Sequence, residues 1–442
     1  MSEFEDLFNL SKFTAKDILE IEKKHLVPAV GHYYTEPKLF VRGEGANLFD
    51  SEGKSYIDLF AGVCTVHSGH CHPTMTGALK KQLDLLMHTT TLYPTIPMAL
   101  YARKLASLSP AGLEKCFFVN SGSEANEAAL HLAKKYTNCN FVVSLLEAFH
   151  GRTLMAMSLT NQGTWRQNMT YATGTIGTPN CYCYRCDFGK DPDTCDMECA
   201  WFADKVIRCQ TPKRVAALLA EPLQGVGGIT EPVPDFFPIL AEIVHKYDGL
   251  FISDEVQTGF GRTGKHFWGI ENWGVKPDMM TMAKGIGSGF AMGALVTTEE
   301  ISDCLMPKDL FSTFGGNPLA MVAGLSNLEI IEKEKLQEGA LAKGNYYKLR
   351  LNEMMEEHKL IGDIRGKGLM IGFELVSDRD KKTPGTVEAK KFMEICKDNG
   401  LLLGLGGLLA NVIRIQPPLV LTMDQIDQSL EIMDDAFRAM EG

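Results

Sequence analysis

Two residues in this chain have the type and the setting for covalent chemistry, Asp254 and Lys284. Asp254 closes an apolar run, Leu250-Phe251-Ile252-Ser253. Lys284 closes a second, Met279-Met280-Thr281-Met282-Ala283. Short apolar runs bounded by turn residues predict buried parallel strands. An acid and an amine then share the carboxyl rim of one sheet, where open α/β sheets bind their ligands. A lysine amine condenses with an aldehyde to form a Schiff base. With an acid held against the ring nitrogen, such a lysine is what pyridoxal phosphate (PLP) asks of a protein. Taken singly, the two residues read as readily as a helix cap and a solvated surface charge.

The surrounding residues separate these readings. Asp254-Glu255-Val256-Gln257-Thr258-Gly259-Phe260-Gly261-Arg262-Thr263-Gly264, followed by Met282-Ala283-Lys284-Gly285, resembles the signature of class III (omega) aminotransferases. The resemblance implies an α/β protein of PLP fold type I, the aspartate aminotransferase-like fold. That fold has a mixed, mainly parallel sheet in a large domain and an α+β small domain. The expected division is an N-terminal arm and part of the small domain over 1–60, the large PLP-binding domain over 61–324 and the C-terminal small domain over 325–442. The resemblance makes Lys284 the Schiff-base residue and Asp254 the partner of the ring nitrogen. It places Val256 under the ring and Gln257 on the ring oxygen.

Other elements must position these two. A run Lys115 to Val119 breaks at Ser121-Gly122-Ser123 and continues as an alanine-rich helix. Such a turn is a ready phosphate cradle, but Ser121-x-x-Glu124 is also a capping box; the resemblance favours the phosphate. Phe149 reads as a core plug or as a plate stacked on the ring, and the resemblance implies the plate, with His150 behind it. Glu221 ends a further apolar run, Ala216 to Ala220, and is implied to support Asp254. Thr313, within Phe311 to Pro318, matches the loop that reaches the cofactor phosphate of a neighbouring subunit, which implies a homodimer or a dimer of dimers.

Substrate contacts are expected from Val63, Cys64, Tyr93 and Arg414. Val63 and Cys64 precede a Gly69-His70…His72-Pro73 segment that the resemblance places beside the site; both histidines are expected to brace the loop. Arg414 lies in Val412 to Leu419, which alternates like an edge strand stopped by prolines. It reads as a solvated edge charge, or by resemblance as the bidentate partner of a substrate carboxylate. Val226 stands where ornithine and γ-aminobutyrate aminotransferase-like members carry an acid, which points to small acceptors. Gly285-x-Gly287-x-Gly289 follows a lysine and opens no βαβ unit, so a nucleotide reading is weak.

One segment stands apart. Five of the 12 cysteines fall between Cys181 and Cys199, and Cys183, Cys186, Cys195 and Cys199 have the C-x2-C…C-x3-C spacing of a tetrahedral zinc site. An iron–sulfur cluster and a loop of unliganded thiols are the other readings.

The chain has 442 residues, 45% hydrophobic and 22% charged, as in ordinary globular proteins. A net charge of -11 argues against nucleic-acid or anionic-membrane partners. Residues 1–20 lack the apolar run of a signal peptide, Leu401 to Ile413 is too short to span a bilayer, and scattered cysteines suit a reducing cytoplasm. Phrases such as His266-Phe267-Trp268-Gly269 and Arg365-Gly366-Lys367-Gly368-Leu369-Met370 bring the resemblance nearest to the alanine–glyoxylate and β-alanine–pyruvate branch. The implied reaction is ping-pong transfer of an amino group from alanine, β-alanine or a similar donor to a small 2-oxo acid such as pyruvate or glyoxylate. A PLP lyase eliminating ammonia or phosphate from an aminoethyl compound is the alternative. A non-catalytic or redox-sensing protein on the same fold is a further one.

Overall fold

The runs ending at Asp254, Lys284 and Glu221 are neighbours in one sheet. The computed structural model describes residues 7–9, 12–166 and 171–442, so the reading of residues 1–20 lies partly outside the described residues. Among these, seven strands form the main sheet in the order Lys115–Val119, Gly293–Thr297, Met279–Met282, Leu250–Asp254, Ala217–Ala220, Val142–Leu145, Thr175–Thr178. All pairings are parallel except those of Gly293–Thr297, which runs antiparallel to both neighbours. Every residue of the three central strands is buried, as expected of runs covered on both faces.

The helix Gly122–Thr137 starts because Ser121 Oγ accepts from Glu124 N at 3.2 Å and donates to Glu124 Oε2 at 3.0 Å. It buries Ala125, Ala128, Ala129 and Ala133, whose small side chains bring the helix close to the sheet. It stops at Asn138, which takes the left-handed conformation favoured at helix ends. The helix N-terminus therefore opens onto the carboxyl rim that carries Asp254.

Two smaller sheets complete the fold. Ser55–Asp58 pairs in parallel with Leu401–Leu402, tying residues near the start to residues near the end. Met370–Asp378 is flanked by Ile361–Lys367 and Val412–Ile415, and Gly404–Gly406 lies beyond the latter. The last pairing corrects the sequence reading: Val412–Ile415 is an interior strand, buried throughout. The apolar stretch before it folds back as a short glycine-containing strand and covers what the prolines suggested was an edge. Among the described residues no helix is long and apolar enough to cross a membrane.

The longest helices, Leu336–Glu357 and Met423–Glu441, close at a buried imidazole. His358 Nδ1 pairs with Glu441 Oε2 and Nε2 with Asp434 Oδ1, both at 2.7 Å. Burial pulls the imidazole down, but the two carboxylates outweigh it and raise it above its ordinary value. A raised histidine contributes stability that is fully present below the ordinary value, about 6.5, and is lost as pH rises through the folded one. His358→Gln should therefore cost on the order of 2 kcal/mol near pH 6, and progressively less toward alkaline pH. Denaturant unfolding of both proteins across that range checks it; a penalty that grows with pH would refute it.

Candidate active site

Asp254 is only 3% exposed, and three donors fix it. Oδ2 receives Asn126 Nδ2 at 2.9 Å and His150 Nδ1 at 2.8 Å, while Oδ1 receives the backbone N–H of Val256 at 3.1 Å. Asn126 is itself anchored, giving a second N–H to His150 O and accepting from Thr281 Oγ1 at 2.6 Å. The adjacent Glu255 faces the other way. Its carboxylate takes Thr258 Oγ1 and the N–H groups of Gly269 and Ile270, which ties the Phe267–Trp268 loop down. Only the first of the two acids belongs to the site.

Lys284 sits two residues past its strand, at φ 48°. The next residue, Gly285, packs against His67; a Cβ there would come within 2.3 Å of that ring. Burial lowers the Lys284 ammonium below its usual range, against the pull of Asp254, Cys64 and Glu221, with Arg414 adding to the depression. Glu221 accepts from Phe149 N at 2.8 Å and Gly225 N at 3.0 Å. Burial pushes it up to about 7, Asp254 adding to the rise and His150 opposing it.

These groups surround one cavity of about 350 Å³. Ser121, Gly122 and Ser123 form one end, with Phe149, His150, Glu221, Asp254, Val256, Gln257 and Lys284 around the rest. The Ser121 hydroxyl caps the helix, and the turn that carries it also faces the cavity. Gly122 leaves room for Val256, whose Cγ2 would be 3.0 Å from an added Cβ. Phe149 stands edge-on against Trp165 at 5.3 Å, held at the wall rather than in the core.

Arg414 is buried and reaches the same residues from the small sheet. Its Nη2 donates to Gln257 Oε1 at 3.0 Å and to Gln416 Oε1 at 2.6 Å. Gln416 Nε2 also donates to Gln257 Oε1 at 2.9 Å. Gln257 lines the cavity, and its carbonyl oxygen takes these two donors while its Nε2 is left for a ring oxygen. The guanidinium is held by neutral amides, and its Nε has no partner. Burial lowers its affinity for its proton.

The other predicted substrate residues are placed differently. Cys64 is buried, its thiol donating to Gln257 O at 3.4 Å. Val63 and Tyr93 are exposed, Tyr93 by 65%, and neither lines the cavity within one chain. Thr313 is exposed too, between exposed Phe311 and Phe314. His70 and His72 brace separate carboxylates, Asp58 at 2.8 Å and Glu334 at 2.9 Å, and meet no common ligand. Asn126, Thr281, Gln416 and His67 escaped the sequence reading. A buried asparagine four residues past Gly122 was the one available hint.

The predicted quartet Cys183, Cys186, Cys195 and Cys199 is not assembled as such: among the described residues no three of its thiols lie within 4.8 Å of one another, and the close contacts run through Cys181, outside it. Cys181 Sγ lies 3.7 Å from Cys183 Sγ and also contacts Cys199, whereas Cys195 turns to Pro192 O at 3.8 Å. All five cysteines of the segment border one small cavity.

Comparison with known proteins agrees with this geometry. Residues 30–437 match the family described as aminotransferase class-III. The chain is 43% identical to an Arabidopsis thaliana protein named alanine–glyoxylate aminotransferase 2 homolog 2, mitochondrial, over 97% of this chain and 88% of that one. It is 40% identical to human alanine–glyoxylate aminotransferase 2, mitochondrial, over 95% and 85%. A Bacillus anthracis aminotransferase of known structure superposes with a TM-score of 0.89 at 32% identity, covering 97% of this chain and all of that one. The carboxyl-rim cavity with its lysine, its braced aspartate and its serine-glycine turn is thus a transaminase site, and the chain belongs to the class III aminotransferases, PLP-dependent enzymes of fold type I.

Proposed function

We propose that this enzyme moves the amino group of alanine, β-alanine or a similar donor to a small 2-oxo acid such as pyruvate or glyoxylate. The observation that carries the reading is that Lys284, Asp254 and Gln257 line one cavity, while Arg414 and Gln416 both donate to Gln257 Oε1.

The cavity fits the cofactor. Backbone N–H groups at the start of a 16-residue helix, beside the Ser121 and Ser123 hydroxyls, suit a phosphate. Asp254 is oriented to meet a ring nitrogen, and Phe149 and Val256 supply apolar surfaces for a ring's faces. When bound, PLP supplies the carbonyl that takes the donor nitrogen and the ring that withdraws electrons from the adjacent carbon. Lys284 Nζ, lowered by burial, would more readily be the free amine that takes a proton from the carbon on one side of the donor nitrogen and returns it to the carbon on the other. Glu221 holds Phe149 and the Gly225 turn beside Asp254.

Arg414 is suited to a carboxylate. Its present partners are amide oxygens, so an incoming carboxylate displaces no competing charge. Val226, lying where other family members carry an acid, leaves it so. Arg414→Leu should raise KM for a carboxylate-bearing donor by roughly 30-fold or more, the lower end of losing a buried charge pair. An amine without a carboxylate should be far less affected, and equal losses for both would refute the assignment.

The same reading includes a homodimer or dimer of dimers. Its support is the exposure of several large apolar residues, Leu85, Leu92, Tyr93 and Ile96, and of Phe311 and Phe314 beside Thr313. It also includes a reducing location, the cytoplasm, which 12 unpaired cysteines suit.

Incubation with alanine or β-alanine and pyruvate or glyoxylate tests the function. The expected result is oxo product and new amino acid in equal amounts, with no ammonia. Ammonia released without an acceptor would mean elimination instead.

A further inference from the structure

The fold draws together the two ends of an irregular loop that carries five cysteines. The chain passes Cys181, makes a single 3-10 turn over Cys183–Arg185, reaches Cys186, and returns through turns to the helix Glu198–Gln210, where Cys199 is the second residue. No disulfide joins any of these cysteines. Cys181 is the hub, 3.7 Å from Cys183 Sγ and in hydrogen-bond contact with Cys199.

The Cys181–Cys183 spacing suits a metal ion. With zinc–sulfur bonds of about 2.3 Å, tetrahedral geometry separates the sulfurs by about 3.8 Å. The cavity that all five cysteines border holds about 30 Å³. That is room for one or two waters or an ion, and none for a metabolite. Among the described residues no three of the sulfurs lie mutually within 4.8 Å, so the outer ligands must close onto the ion.

What the turn supports gives the site a purpose. Tyr182 and Arg185, interleaved with Cys181, Cys183 and Cys186, both donate to Glu374, Arg185 Nε at 2.6 Å. Glu374 is fully buried and also receives Asn411 Nδ2 at 3.1 Å and Arg365 Nη1 at 3.3 Å. It stands opposite Val412, on the strand that carries Arg414. A buried carboxylate that loses donors is costly, yet two of its four donors come from this loop. Its outer part, Asp191 to Thr194, is exposed.

We propose that this segment is a structural Zn²⁺ site. Cys181, Cys183 and Cys199 are its core ligands, and Cys186 or Cys195 completes the tetrahedron. The ligating thiols give up their protons to the solvent on binding. The ion pins the turn that delivers Tyr182 and Arg185 to Glu374. It leaves no coordination position open and takes no part in amino transfer.

The test uses the full-length protein, purified with a thiol reductant, supplied with zinc chloride and desalted. Elemental analysis should find one zinc per chain. The Cys181→Ser, Cys183→Ser and Cys199→Ser variants should lose it, and one of Cys186→Ser and Cys195→Ser should also. Cys209→Ser, exposed and outside the cluster, should keep it. Chelating the zinc from the wild type should lower Tm by several degrees and free four thiols to a colorimetric reagent; this readout stands even if a variant fails to fold. Zinc well below one per chain, with chelator freeing no further thiols, would overturn the proposal. So would zinc retained equally by Cys199→Ser and Cys209→Ser, or iron and sulfide in its place.

Discussion

Replacing Lys284 by alanine is expected to lower amino transfer by at least about 10⁴-fold, because one side chain both anchors the cofactor and moves the proton. The loss should fall on kcat. The residues that face the cavity's phosphate end and its walls remain, so PLP should still bind, without the visible absorbance of cofactor joined to the lysine. Folding should be little disturbed, since removing the amine relieves a buried cation that burial already disfavours. Added methylamine should restore part of the rate. A variant within tenfold of the wild type would remove Lys284 from the chemistry.

Asp254→Asn should cost roughly 10²–10³-fold, the usual loss when a preorganised charge facing the reacting group is removed. Here the cause is specific. Asp254 Oδ2 accepts from both Asn126 and His150, which an amide oxygen can still do, but the negative charge facing the ring nitrogen is gone. The variant should keep the visible absorbance, because Lys284 is intact, while its rate falls. Asp254→Glu keeps the charge but is one methylene longer, and should fall between the two. Loss of both absorbance and fold in Asp254→Asn, with no separable effect on rate, would make the residue structural only.

The parts of the site that could be read from the sequence are those that depend on strand ends. Asp254, Lys284 and Glu221 each follow an apolar run, and parallel strands put such residues on one rim whatever the loops do. The bracing could not be read in the same way. Asn126 meets Asp254 across 128 positions of sequence, and Arg414 meets Gln257 across 157, so neither contact leaves a local pattern. Backbone conformation was equally hidden. Ala61, Gly62, Val63 and Cys64 all have positive φ, between 51° and 64°, although three of them are not glycine. Surroundings must impose such strain, and it gathers at functional sites. The same turn buries Cys64 and exposes Val63, which is why two adjacent residues expected on one wall part company. What Glu255 does was equally out of view: its carboxylate points away from the site and ties down Thr258, Gly269 and Ile270.

The most direct test is an absorbance record of the purified protein loaded with PLP and freed of excess. β-Alanine is then added without an acceptor, and pyruvate follows. The account predicts a visible band that declines with the donor and returns with pyruvate, each change stoichiometric with enzyme. No visible band after loading, or a band unmoved by β-alanine and by alanine while ammonia accumulates, would contradict amino transfer through Lys284.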